Sequence, residues 1–144
     1  ASADCCDRAA APGSVVGQQC YRAQCFVTAR LLASELKLPR DQWSVSFQSR
    51  LGRREGIKPY TDHRVEARAR SGVKRRAVYC PAVVADCLET LEEIGMEARQ
   101  DFRDAGGEEL RLISSLNSTP AWVDAVCELV KETATPARSL PVVQ

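Results

Sequence analysis

No apolar run in this chain of 144 residues approaches the ~20 residues that a membrane-spanning helix needs. There is no basic excess either: Lys plus Arg total 20 against 19 Asp plus Glu, a net charge of +1. A general nucleic-acid binder carries a strong positive surplus, so no nucleic-acid partner is expected. The N-terminus shows neither the basic segment nor the apolar core of a secretory signal. It opens on Ala1 rather than Met, as a processed chain or a piece of a longer one would. Histidine is nearly missing, with His63 alone. No CxxC pair occurs, and Cys5-Cys6, Cys20-x4-Cys25 and Cys80-x6-Cys87 have no histidine nearby. The zinc-site pattern is therefore not met.

What is present is ordinary for a globular domain: 44% hydrophobic and 27% charged residues, enough chain for one core. Seven cysteines is a high and odd count. Scattered through a chain without a signal, they read as reduced, partly buried thiols in a cytoplasmic protein, ahead of a metal role or disulfides.

Residues 1–20 form a divergent leader, rich in Ala, Gly and Ser with a Pro12-Gly13 turn signal. From Tyr21 to Leu38, Phe26, Ala29, Leu32, Ala33 and Leu36 recur at helical spacing, and Pro39 stops the run. Trp43 to Phe47 alternates as a strand should. A weakly amphipathic helix is expected from Pro59 to Arg70, a strand over 73–80, and a helix from Asp86 to Phe102. A short strand over Leu110–Ile113 and a helix opened by Thr119-Pro120 follow. The tail, 133–144, is expected to be frayed.

Such alternation predicts an α/β fold: a doubly wound parallel sheet of three to four strands with helices on both faces. Ligands of such sheets sit beyond the carboxyl ends of the strands, here the loops after Phe47 and Cys80.

The stretch after Cys80 is the most informative. Glu89, Glu93 and Glu97 are spaced i, i+4, i+8, one line along a helix. Like charges at that spacing weaken an isolated helix by a few tenths of a kcal/mol per pair. Crowded carboxylates are expected to raise one another's pKa and to attract a divalent cation. A solvated acidic face is the commoner fate of such a row, and spacing alone leaves both open.

Residues 80–94, Cys-Pro-Ala-Val-Val-Ala-Asp-Cys-Leu-Glu-Thr-Leu-Glu-Glu-Ile, strongly resemble the signature of bacterial ferrochelatases. Ser46-Phe-Gln-Ser-Arg-Leu-Gly52 resembles the family's Gln-Ser-Arg turn, and Lys58-Pro-Tyr-Thr-Asp62 its helix start. Gly72-Val-Lys-Arg75, Gly106-Gly-Glu108, Ser115-Leu-Asn117 and Pro120-Ala-Trp122 agree in order and spacing, so the resemblance covers about residues 21–131. It implies a chelatase-like half-domain, with ferrous iron as substrate inserted into a porphyrin held between two halves. It further implies Glu89 as catalytic carboxylate, Glu93 and Glu97 as an inner acidic row on a helix often distorted to π, and Asp86 at the mouth of that row. Gln48 and Arg50 fall where substrate propionates could be touched. Carboxylates suit an ion that must be surrendered, where thiolate or imidazole cages would trap it.

The departures are equally specific. The family carries a catalytic His upstream of the segment matching Tyr21–Cys25, and residues 1–20 contain none. A Trp expected after the Gln-Ser-Arg turn is Gly56. Cysteine is absent from residues 132–144, where some relatives place iron–sulfur ligands, so no cluster or other tightly bound cofactor is expected. Cys80 and Cys87 read as packing, Trp43 and Trp122 as core anchors, and His63 as exposed. Three readings follow: part of a ferrochelatase, a small homodimeric chelatase, or a non-enzymatic metal- or tetrapyrrole-binding module or inactive remnant. A sheet lacking its first strand predicts self-association or docking with an N-terminal half.

Overall fold

The computed structural model describes residues 19–48 and 56–134. Arg50, most of the leader and the tail from 135 on lie outside the described residues.

Helix α1 runs Tyr21–Glu35, entered from an extended Cys20. It ends three residues before Leu38 because the chain turns left-handed at Lys37 (φ 54°). The Leu38 N–H then reaches the Ala33 carbonyl at 2.8 Å and the Lys37 N–H the Ser34 carbonyl at 3.0 Å, a Schellman closure. Of the apolar positions expected to face inward, Phe26 and Ala33 are buried while Leu32 and Leu36 stay exposed. Phe26 packs on Phe47, ring centroids 6.4 Å apart.

Trp43 to Phe47 does not build the expected strand. A short 3-10 turn, Arg40–Gln42, precedes it, and only Phe47 forms a bridge, parallel to Tyr60. The Phe47 N–H bonds the Pro59 carbonyl (2.8 Å) and its carbonyl accepts from the Thr61 N–H (3.0 Å). Helix α2, Thr61–Arg70, begins at that residue, so the partner segment turns helical before a second rung can form. Trp43 is only half-buried, covered by the Arg40 guanidinium at 4.3 Å from its ring rather than by a core.

α2 closes as α1 does, with Gly72 at φ 92° and the Val73 N–H on the Arg68 carbonyl (3.1 Å). Strand β1, Arg75–Tyr79, pairs in parallel with β2, Glu109–Ile113, in the register Arg75↔Glu109 to Tyr79↔Ile113. Among the described residues these are the two strands of one sheet, fewer than the three to four expected. Between them the helical segment is built in three pieces: α3 (Leu88–Leu91), a π-helical turn (Glu93–Ala98) and α4 (Arg99–Asp104).

The core lies where α2, the π turn and α4 meet β2. Val65, Ala69, Ile94, Ala98, Phe102 and Leu110 are buried there, with Val78, Cys80 and Leu112 packed against them. Burying side chains the size of Phe102 and Leu110 stabilises the fold by roughly 1.5–3 kcal/mol each. α4 ends in the same closure, Gly106 at φ 98° and the Gly107 N–H on the Phe102 carbonyl (2.8 Å). A Cβ on Gly107 would overlap the Phe102 ring, so this position has no room for a side chain.

Helix α5, Pro120–Ala134, buries no residue fully. Val123, Val126, Leu129 and Val130 are exposed, and Trp122 is half-buried instead of anchoring a core. Among the described residues no helix is long and apolar enough to cross a membrane.

Candidate active site

The two loops expected to carry chemistry meet. Gln48 follows the bridge residue Phe47, while Glu89, Glu93 and Glu97 follow β1 on α3 and the π turn. Together with Phe47, Tyr60, Thr61, Asp62, Ile94, Ala98 and Asp101 they line a cleft of about 430 Å³.

The π turn keeps the row in line. On a regular α-helix, each step of four residues rotates a side chain by about 40°, so a long i, i+4 row spirals away from its face. Here the Glu97 N–H bonds the Glu92 carbonyl five residues back (3.0 Å), which also accepts from the Met96 N–H (3.0 Å). The wider π rung turns the row back, and Glu89, Glu93, Glu97 and Asp101 all line one cleft. Asp101 extends the four-residue spacing by one more step, a signal present in the sequence but not used above.

These acids form a row and not a cage. Among the described residues, no three His, Cys, Asp or Glu side chains converge closely enough to hold a metal ion. The arrangement offers single oxygen ligands in succession. Such ligands bind a hard or borderline divalent cation without trapping it.

Glu89 titrates below its usual value, where crowding was expected to raise it. The Cys87 thiol and the Glu89 backbone N–H both donate toward its carboxylate at the start of α3, and the group is too solvated for burial to offset them. Glu89 is therefore ionised at neutral pH. Its charge is available to a cation, while its strength as a proton acceptor is reduced.

Gln48 reaches the row from the segment after Phe47. Its amide nitrogen lies 2.6 Å from Glu93 Oε2 and 2.5 Å from the Glu89 carbonyl oxygen. Both partners are acceptors, so the side-chain NH2 group must face them and the amide orientation is fixed.

Asp86 is not among the residues lining the cleft. Its Oδ1 accepts from the Ser115 N–H (3.1 Å) and lies 3.3 Å from the Thr90 hydroxyl, and its Oδ2 accepts from Asn117 Nδ2 (2.9 Å). Its own N–H donates to Asn117 Oδ1 (2.9 Å). The Asn117 amide, followed by the Ser115 N–H, holds the Asp86 carboxyl below its usual range. Thr90, fully buried, accepts from the Cys87 N–H (3.0 Å) and places its proton between the Cys87 carbonyl (3.0 Å) and Asp86. These contacts tie the loop after β1 to the loop after β2. Thr90 and Asn117 stand inside the quoted motifs, but spacing gave them no role because their partners are set by the fold.

His63 is exposed and edge-on to Tyr60, ring centroids 5.7 Å apart, and it does not line the cleft. Cys80 packs against the core, and burial raises its thiol pKa, with Cys87 and Asp86 adding to the effect.

Comparison with known proteins gives the family. The ferrochelatase family model matches residues 10–134, starting inside the segment expected to diverge. The chain is 53% identical over 133 residues to a ferrochelatase of Pseudomonas fluorescens strain SBW25, and 55% over 126 residues to that of strain Pf0-1. It is 52% identical over 130 residues to the ferrochelatase of Azotobacter vinelandii. These alignments cover 92%, 88% and 90% of this chain but only 38%, 36% and 38% of the relatives, so the chain spans just over a third of their length. The match runs through the loop after β1, the acidic row and the loop after β2, and the chain belongs to the ferrochelatase family.

Proposed function

We propose that this chain is the metal-handling part of a ferrochelatase, which inserts ferrous iron into a porphyrin. One observation carries the reading: the π turn brings Glu89, Glu93 and Glu97 to one wall of a single cleft. Insertion exchanges one Fe2+ for the two pyrrole protons of the porphyrin, so the site must deliver a cation and carry protons away. Glu89, ionised and solvated, is the residue nearest the start of the row and acts on the reacting centre. Glu93 and Glu97 pass metal or protons along the helix.

Iron is substrate here, and the proposal includes no resident cofactor. The one histidine, His63, lies outside the cleft, so the stronger proton acceptor comes from the remainder of the complete protein. The same remainder closes the porphyrin cleft opposite the acidic wall, and either it or a second copy covers the exposed face of α5. Gln48 borders the cleft. The reaction takes place in the cytoplasm, where the five described cysteines remain free thiols.

The test is a porphyrin titration with zinc or ferrous ion, followed by absorbance and fluorescence. Porphyrin binding with metal insertion that falls in Glu89→Gln supports the reading. Binding without insertion, restored by adding the remaining portion of a relative, supports it also. No porphyrin binding in either setting overturns it.

A further inference from the structure

We infer that Gln48 is a positioning residue that weakens metal chelation by Glu93 by drawing on its Oε2. The inference rests on the metal-path reading above and adds a residue to it. The Gln48 amide nitrogen donates at 2.6 Å to Glu93 Oε2 and at 2.5 Å to the Glu89 carbonyl. One side chain from the Phe47 loop thus grips the start of the acidic helix at two levels, 41 and 45 residues away in sequence. Both amide protons are used on the protein itself.

The consequence for a cation follows from the chemistry of a carboxylate. A carboxylate with two unshared oxygens chelates a divalent ion most strongly, while an oxygen that already accepts a hydrogen bond has less charge to give and is the weaker of the two ligands. A site on a transfer route must release its ion, so weaker chelation suits it. A hydrogen bond to an ionised group is stronger than one between neutral groups, so Gln48 competes effectively for Oε2. Gln48 keeps the middle of the row weak. It also fixes where Glu93 points, because its second bond anchors the amide to the helix backbone.

Mn2+ binding to the chain, read from the loss of the free-ion paramagnetic resonance signal, tests this in a double-mutant cycle. Gln48→Leu and Gln48→Met remove the donor at similar length. Each is expected to tighten Mn2+ binding by roughly three- to tenfold as Oε2 is released from its hydrogen bond. In a Glu93→Gln background the same substitutions are expected to change nothing. Unchanged or weaker binding in both Gln48 variants overturns the inference while leaving the metal path standing. A tightening that persists without the Glu93 carboxylate also overturns it. No Mn2+ binding by any variant overturns the metal path itself, and this inference with it.

Discussion

Asp86 and Asn117 clasp each other in both directions: the Asp86 N–H donates to Asn117 Oδ1 and Asn117 Nδ2 donates to Asp86 Oδ2, each at 2.9 Å. Asn117 holds this pose at φ 50°, a left-handed conformation that asparagine tolerates better than most residues. The clasp spans the two loops that leave the carboxyl ends of β1 and β2, and it sets where α3 begins.

Its pH dependence has a definite sign. The folded state holds the Asp86 carboxyl below its usual 3.8, so the clasp's contribution is fully present above that value and is lost as pH falls through the depressed folded pKa. Asn117→Ala is expected to lower the thermal midpoint by several degrees near pH 7. It should also flatten the acid limb of the stability curve below about pH 4. Thermal melts from pH 2 to 7 check both, and an unaltered acid limb would remove Asp86 from this role.

Thr90→Val keeps the shape and deletes the hydroxyl. The half-buried Cys87 N–H then loses its acceptor and the fully buried Thr90 site its hydroxyl, for a cost of about 1 kcal/mol in denaturant unfolding. Thr90→Ser should recover most of the loss, since the methyl contributes little to these bonds. Equal stability of Thr90→Val and the wild type would contradict the assignment.

Gly107→Ala tests the close approach behind α4. The added methyl would enter the volume of the Phe102 ring, which is completely buried and cannot swing away. The expected loss is about 1–3 kcal/mol by chemical denaturation. Because Phe102 sits one turn after the π turn, near-UV dichroism should change along with stability.

Much of this architecture was legible in advance, for physical reasons that differ by element. Helix α1 followed from its helical spacing, while β1 and β2 were marked off by the breakers beside them, Pro81 after one and Gly106-Gly107 before the other. The acidic row was equally plain, since four-residue spacing is a local property. The strand expected from Trp43 to Phe47 failed because its pairing depends on Tyr60, where α2 starts too early to extend a ladder. The family resemblance put Asp86 at the mouth of the row, while its hydrogen-bond partners Ser115 and Asn117 lie 29 and 31 residues away, beyond any local pattern. The π turn was implied only by the family resemblance. The direction of the Glu89 shift was missed because the acids are solvated, so hydrogen bonds at the start of α3 outweigh their mutual repulsion.

The face of α5 gives a prediction about assembly. Leu129 and Val130 are 56% and 60% exposed, and with Val126 they form an open apolar groove. The isolated chain is expected to self-associate at micromolar concentration, with Leu129→Glu shifting it toward monomer. Light scattering across a concentration series reads this directly, and a wild-type chain that stays monomeric throughout would contradict it.

The central claim is that the Glu89 row hands metal to the porphyrin. Its most direct test is the initial rate of metalloporphyrin formation by this chain joined to the remaining portion of the Pseudomonas fluorescens relative, comparing wild type, Glu89→Gln and Glu93→Gln. The account predicts a loss of at least roughly a hundredfold for Glu89→Gln, the scale of a lost electrostatic group at a reacting centre, and a smaller loss for Glu93→Gln. Rates equal to the wild type in both variants, with porphyrin still bound, would show that the row plays no part in insertion.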